Sequence, residues 1–262
     1  MIKVNNQIVE LGHFPDGTLA AKAPLVNEDL RVYITWNYEN DSELFAVACL
    51  RRHYAACNVD LYLPYIPHAR MDRVKNEGDI FTLKYFCEII NSLNFNKVFV
   101  IDPHSNVSMA LLNNAVASMP HYYIHTAWHL HKRKYDNNTA VFFPDEGAMK
   151  RYGEILKAPY AFGMKKRNWE DGKILGLTVM ESENIVGKHV LIIDDICSRG
   201  GTFYYSAKAL LEAGAASVSL YITHCENTIT QGDIFNNEII KEIYTTDSLV
   251  HCEDVKNRVI YV

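Results

Sequence analysis

Short apolar runs alternate with amphipathic stretches along most of the chain. Runs rich in Val, Ile and aromatic residues predict strands over Leu30–Trp36, Val59–Tyr65, Lys97–Asp102, Ala140–Pro144, His189–Asp194, Ser217–Thr223, Ile239–Thr245 and Arg258–Val262. They are short and nearly continuous in hydrophobicity, as strands buried on both faces of a parallel sheet are. Within Ser42–Ala56, Leu44, Val47, Ala48 and Leu50 recur at helical spacing behind an Asn40-Asp41 capping signal. Phe81–Leu93, Glu146–Leu156 and Thr202–Ala213 read as helices too, and Gly214 is placed to end the last. Such alternation predicts an α/β architecture with helices on both sheet faces. Asn113–Asn138 is the least regular stretch, so the domain boundary is expected near residue 120, giving domains 1–120 and 121–262. Val98–Asp102 and Val190–Asp194 both run an apolar strand into an acid, a faint echo that two similar halves or chance would explain.

Composition narrows the function classes. With 262 residues, 48% hydrophobic and 22% charged, the chain reads as ordinary globular protein able to bury a sizeable core without disulfides or structural metal. Lys and Arg number 26 against 31 Asp and Glu, a formal charge of -5, which argues against a nucleic-acid-binding surface. No run approaches the ~20 apolar residues of a membrane span, and Met1–Asn6 has no signal-peptide core. The six cysteines (Cys49, Cys57, Cys87, Cys197, Cys225, Cys252) are widely spaced, so reduced, mostly buried thiols and a cytoplasmic location are expected.

The most informative segment is His189–Thr202. An apolar strand runs into Asp194 and Asp195, then Ile196-Cys197-Ser198-Arg199, two glycines (Gly200, Gly201), Thr202 and a helix. Ligands of open α/β sheets bind outside the carboxyl ends of strands. The glycines allow close backbone approach, and the helix would aim unpaired N–H groups at an anion. Paired acids beside an anion site would repel phosphate unless they hold sugar hydroxyls or a metal, so the combination points to a phosphorylated sugar.

These residues resemble the phosphoribosyl-pyrophosphate (PRPP) loop of the phosphoribosyltransferase fold, and the whole chain resembles the ribose-phosphate diphosphokinases, the PRPP synthetases. Phe14-Pro15-Asp16-Gly17 is similar to that family's adenine-contacting loop, and Pro64–Arg73, with Arg70, Asp72 and Arg73, to its nucleotide segment. Asp102-Pro103-His104-Ser105 resembles its metal and ATP motif, Phe143–Gly147 its Ser-Pro-Asp-x-Gly turn, and Lys165-Lys166-Arg167 its mobile catalytic loop. The motifs fall in family order over nearly the whole chain.

The resemblance implies two tandem phosphoribosyltransferase-like domains, an ATP side before residue 120 and a ribose-phosphate side after it. The implied reaction is attack by the anomeric hydroxyl of ribose 5-phosphate on the β-phosphorus of ATP, with AMP leaving. Such transfers rest on positioning, divalent metal and cationic groups. Phe14, Asp16, Arg70, Asp72, Arg73 and His104 are the implied ATP contacts, and arginines suit bidentate phosphate binding. His104 and Asp145 are the implied Mg2+ ligands, with Lys165, Arg167 and His104 catalytic. Asp194, Asp195, Ser198, Arg199, Gly200, Gly201 and Thr202 would bind the sugar phosphate. A homo-oligomer is implied as well, since the Phe14–Gly17 loop of the family reaches a neighbouring subunit.

The bland readings stand beside these. Asp72–Arg73 would serve as a surface ion pair and Lys165–Arg167 as a solvated turn. His121, His125, His129 and His131 include a helical i, i+4 pair, but nothing completes a zinc site, and a surface or interface segment is expected. Departures from the family pattern are Thr18 for its glutamate, Met71 for its glutamine, Met164 before the lysine, and Ser198-Arg199 where Asp-Thr is usual. The last leaves ADP-ribose open as an alternative acceptor, for NAD salvage. A PRPP-consuming phosphoribosyltransferase and a non-catalytic regulatory paralogue remain as rival readings.

Overall fold

At the start of the chain, β1 (Ile2–Val4) and β2 (Gln7–Ile8) form an antiparallel edge, and β3 (Glu10–His13) with β4 (Leu19–Lys22) forms a separate two-stranded hairpin. Four parallel strands follow: β5 (Val32–Trp36), β6 (Val59–Leu63), β7 (Val98–Ile101) and β8 (Ala115–Ser118). They are linked by α1 (Glu43–His53), α2 (Thr82–Ser92) and α3 (Asn106–Leu111), in the sheet order β2-β1-β5-β6-β7-β8. These elements belong to a computed structural model that describes residues 1–26, 31–167, 174–249 and 258–262. The chain divides into two units, Met1–Met119 and Pro120–Val262.

The second unit opens with α4 (His121–Lys134). It continues through β9 (Thr139–Phe143), α5 (Glu146–Tyr152), β10 (Tyr160–Arg167), β11 (Ile174–Met180), β12 (His189–Cys197), α6 (Gly201–Glu212), β13 (Ser217–Cys225), α7 (Asp233–Asn236), β14 (Ile243–Thr245) and β15 (Val259–Tyr261). The sheet order is β11-β10-β9-β12-β13-β14-β15, parallel except for β11. Alternate residues of the apolar strands pack on two helical layers, as period-2 side chains require. Val190 and Ile192 meet Phe203, Ala207 and Leu210 of α6 on one face. Leu191 and Ile193 meet Ile124 and Ala127 of α4 and Ala148 and Tyr152 of α5 on the other. The α/β reading, with mostly parallel sheets flanked by helices, holds.

Several boundaries differ from expectation for definable reasons. Asn113–Asn138, read as irregular, holds β8 and α4. The buried stripe of α4 is Ile124, Ala127 and His131, so a histidine occupies a core position and breaks the apolar period. His121, His125 and His129 are exposed, as the surface reading expects, but His131 is wholly buried and its Nε2 lies 3.1 Å from the His189 carbonyl oxygen. At α1 the helix begins after Ser42, and Asn40 Oδ1 accepts the Ser42 N–H in an Asx turn one step ahead of the helix. Gly214 ends α6 at φ +96, where the Ala215 N–H donates to the Leu210 carbonyl. Leu30 of the first expected strand and Cys252 lie outside the described residues. The five described cysteines are free, all buried but Cys49. Among the described residues no helix is long and apolar enough to cross a membrane.

Candidate active site

The topology of the second sheet points to one crevice. From β9 the chain moves outward through α5 to β10 and β11, then returns to the other side of β9 as β12 and moves away through β13, β14 and β15. The order therefore reverses between β9 and β12, and ligands of open α/β sheets bind outside the carboxyl ends at such a switch point. The last paired residues of the two strands are Phe142 and Ile192. The third residue beyond each is Asp145 and Asp195.

Around this crevice stand the residues expected to hold the sugar phosphate. Strand β12 runs on to Cys197, because Ile196 and Cys197 keep their register with His224 and Cys225 of β13. Asp194 and Asp195 are therefore inside a paired strand and not in an acidic turn after it. Asp195 is buried, and its N–H donates to Asp194 Oδ1 at 3.0 Å.

The turn proper is Ser198–Gly200. Gly200 has φ +77, and a Cβ there would sit 2.2 Å from Ile234 Cδ1, so both conformation and space demand glycine. Gly201 differs: nothing lies within 4 Å of where its Cβ would be. It opens α6, whose first turn carries no acidic side chain, with first-turn N–H groups that lack intrahelical acceptors. Thr202 follows, half-buried. Arg199 is exposed, and its side chain has no partner among the described residues.

Asp145 turns out to have a structural duty. It is the N-cap of α5, and its Oδ1 accepts the Ala148 N–H at 3.0 Å. Lys165 and Arg167, read as part of a mobile loop, have backbones in β10, in antiparallel register with Leu177 and Ile174. A bulge falls between Lys166 and Arg167. The segment is thus the arm of a β-ribbon; its alternation was hidden because three consecutive cations read as a turn. The side chains of Lys165 and Arg167 lie outside the described residues, as do residues 168–173.

In the first unit the expected ATP residues lie on the hairpin and after β6 and β7. Phe14–Thr18 is a tight turn in which the Gly17 N–H donates to the Phe14 carbonyl at 2.8 Å, with Gly17 at φ +83. Asp16 Oδ1 accepts from the Thr18 N–H at 3.0 Å and its hydroxyl at 2.7 Å. Those bonds, the backbone one foremost, hold the Asp16 carboxyl below the usual carboxylate range. Phe14 is 59% exposed.

Beyond β6, Asp72 is buried and Arg70 exposed. Arg73 grips Asp72 with Nε at 2.7 Å and Nη2 at 3.0 Å. That fork, with Ser105 and His104 beside it, keeps the Asp72 carboxyl ionised below its ordinary pKa against the cost of burial. Two residues read as ATP contacts thus hold each other, in an ion pair whose carboxylate is buried and whose guanidinium is exposed. After β7, Asp102 is fully buried at φ +44, and its N–H donates to the Ser118 carbonyl at 2.9 Å. The kink leads through Pro103 to His104 at the entry to α3.

Residues that sequence reasoning did not single out support the Ser198–Gly200 turn. A Cβ on Gly232 would lie 1.8 Å from the Arg199 carbonyl oxygen, so the backbone of that glycine lies against the backbone of the turn. The Glu226 N–H donates to the Cys197 carbonyl at 2.8 Å, and Ser198 Oγ lies 3.0 Å from Thr228 Oγ1. In sequence Gly232 looks like any turn glycine; only its contact 33 positions away in the chain gives it a role.

Residues 125–251 match the phosphoribosyl transferase domain model. The ribose-phosphate pyrophosphokinase of Saccharolobus solfataricus is 28% identical over 234 residues, covering 86% of this chain and 77% of that protein. That of a Marinomonas species is 28% identical over 261 residues, 94% of this chain and 80% of its own. A crystal structure of phosphoribosylpyrophosphate synthetase from Mycobacterium smegmatis superposes with a TM-score of 0.76 at 17% identity, over 97% of this chain and 85% of that one, a likeness of fold.

Proposed function

We propose that this chain, a divergent member of the ribose-phosphate pyrophosphokinase family and an enzyme of the transferase class, moves the β,γ-diphosphate of ATP onto the anomeric hydroxyl of ribose 5-phosphate and releases AMP. The observation that carries the reading is the crevice between β9 and β12, where the glycine turn, the α6 N-terminus and the Asp194–Asp195 pair converge at a switch point. Gly201 and the first turn of α6 would receive the 5-phosphate, with Thr202 beside them, while Asp194 and Asp195 take sugar hydroxyls. Arg70, Phe14, Asp16 and the Asp72–Arg73 pair form the ATP side in this reading. Arg73, already neutralising Asp72, would serve more to order that segment than to hold phosphate.

Mg2+ fits here as an ion that arrives with ATP. Among the described residues no three His, Cys, Asp or Glu side chains gather into a resident metal site, whereas Mg2+ needs only one or two carboxylates beside substrate phosphates and water. His104 in the first unit and Asp145 in the second are each a candidate ligand, Asp145 through the carboxylate that also caps α5. When bound, the ion neutralises charge on the diphosphate as it transfers. Lys165 and Arg167 would stabilise the charge spreading over the moving phosphoryl oxygens, and β10–β11 would carry them in as a ribbon. The exposed hairpin β3–β4 with Phe14 at its tip supports a homo-oligomer in which that tip meets a second copy.

Arg199 favours a second acceptor. An exposed guanidinium without a partner among the described residues, at the lip of the phosphate turn, suits a second phosphate extending outward, as in ADP-ribose. Incubating the protein with ATP, Mg2+ and a panel containing ribose 5-phosphate and ADP-ribose, scored for AMP, tests both. Arg199→Thr is expected to lower kcat/KM for ADP-ribose selectively if the arginine holds the second phosphate.

A further inference from the structure

We propose that Glu226, acting through Thr228, is a positioning acid that makes Ser198 a pure hydrogen-bond acceptor, so that position 198 recognises a sugar hydroxyl and not a phosphate. The inference rests on the reading of the Ser198–Gly201 turn as the sugar-phosphate site, and goes beyond it by assigning a specificity role to residues outside that turn. The segment after β13 touches the turn step by step. The Glu226 N–H bonds the Cys197 carbonyl, Thr228 meets Ser198, Gly232 lies against Arg199, and Ile234 fills the space beside Gly200. Its geometry therefore sets the geometry of the turn.

The hydroxyl protons fix the polarity. Thr228 Oγ1 lies 3.2 Å from Glu226 Oε2 and 3.0 Å from Ser198 Oγ. A carboxylate can only accept, and a hydroxyl has one proton, so Thr228 donates to Glu226 and accepts from Ser198. The Ser198 proton is thereby committed to Thr228, and its remaining lone pairs are what a ligand would meet. Phosphate oxygens need donors, whereas a ribose hydroxyl can donate to such a lone pair. The chain thus sets an acceptor at a position where the sequence itself supplies no acid, using a carboxylate 28 residues further on, relayed by one hydroxyl.

Titration calorimetry on the full-length protein, with ribose 5-phosphate and its 2-deoxy and 3-deoxy analogues, reads this without turnover. The wild type is expected to bind ribose 5-phosphate about tenfold more tightly than one of the two analogues, the scale of one good hydrogen bond. Thr228→Val and Glu226→Ala should narrow that ratio to within about twofold, while Thr228→Ser, which keeps the relay, should restore it. Thermal melts identify any variant that fails to fold, and Thr228→Val is nearly isosteric. An unchanged ratio in folded Thr228→Val overturns the relay alone. A wild type that binds no ribose 5-phosphate overturns the relay together with the reading of the site.

Discussion

The carbonyl oxygen of Arg199 lies 1.8 Å from the point a Cβ on Gly232 would occupy. Two backbone segments therefore touch at the turn, with no side chain able to relieve the contact. Gly232→Ala must displace either the turn or the segment behind it. The expected result is a rise of roughly tenfold or more in KM for the acceptor sugar, with KM for ATP nearly unchanged, since the residues proposed for ATP lie elsewhere in the chain. Overpacking of this kind costs about 1–3 kcal/mol, so the variant should still fold. Steady-state kinetics varied in each substrate, with a thermal melt, checks it; equal KM values would show that the turn does not depend on Gly232.

Gly200→Ala should be worse, since it adds left-handed strain of about 1–2 kcal/mol to a clash with the Ile234 side chain. Ile234→Ala in the same chain should relieve the clash and not the strain. Urea melts of the two single variants and the double would show a coupling between the sites. Strict additivity would mean that Ile234 does not press on Gly200.

Much of this was legible in the chain. Val190–Ile193 reads as a buried strand, and each of its residues is fully buried; the glycines and apolar period of α6 are equally plain. The rest fails for physical reasons. The hairpin β3–β4 has no fully buried position, and every residue of β3 is exposed, so no buried alternation marks it. Strand β8 is exposed at three of its four positions. The supports of the turn are contacts between distant residues, Gly232 with Arg199 and Thr228 with Ser198, and no local pattern encodes such pairs.

Acid should weaken the fold through His131. Burial, opposed by the His189 carbonyl and by Glu242, pushes its pKa down from 6.5 to about 4. The unfolded chain therefore binds a proton between those pH values that the folded chain refuses, so stability falls as pH drops from 6.5 toward 4. The slope is about 1.4 kcal/mol per pH unit, up to roughly 3 kcal/mol in all. Urea unfolding at pH 7.5 and 5.0 should show the loss in wild type and a slope smaller by about one proton in His131→Gln. Identical slopes would mean that other groups carry the acid sensitivity.

Lys165 is expected to act on the transition state. Lys165→Ala should lower kcat by about 10²–10³-fold with little change in KM for ATP, as when a stabiliser of developing charge is lost. A variant with normal kcat and raised KM would make the lysine a ground-state binding group instead.

The assembly of the chain bears on the exposed hairpin tip. Phe14, 59% exposed on a hairpin with no fully buried position, should need a second copy for full activity. Light scattering with serial dilution should show at least a dimer, whose dissociation lowers specific activity. Phe14→Ala should raise KM for ATP without altering the fold. A monomer that keeps full specific activity on dilution would rule out the shared site.

The most direct test of the central claim uses ATP labelled at the β-phosphorus, with Mg2+ and each acceptor in turn, resolving the products by chromatography. The account predicts unlabelled AMP, the label in a sugar 1-diphosphate in equal amount, and loss of both with EDTA. Formation of ADP with a monophosphorylated sugar, or consumption of PRPP without any need for ATP, would contradict it.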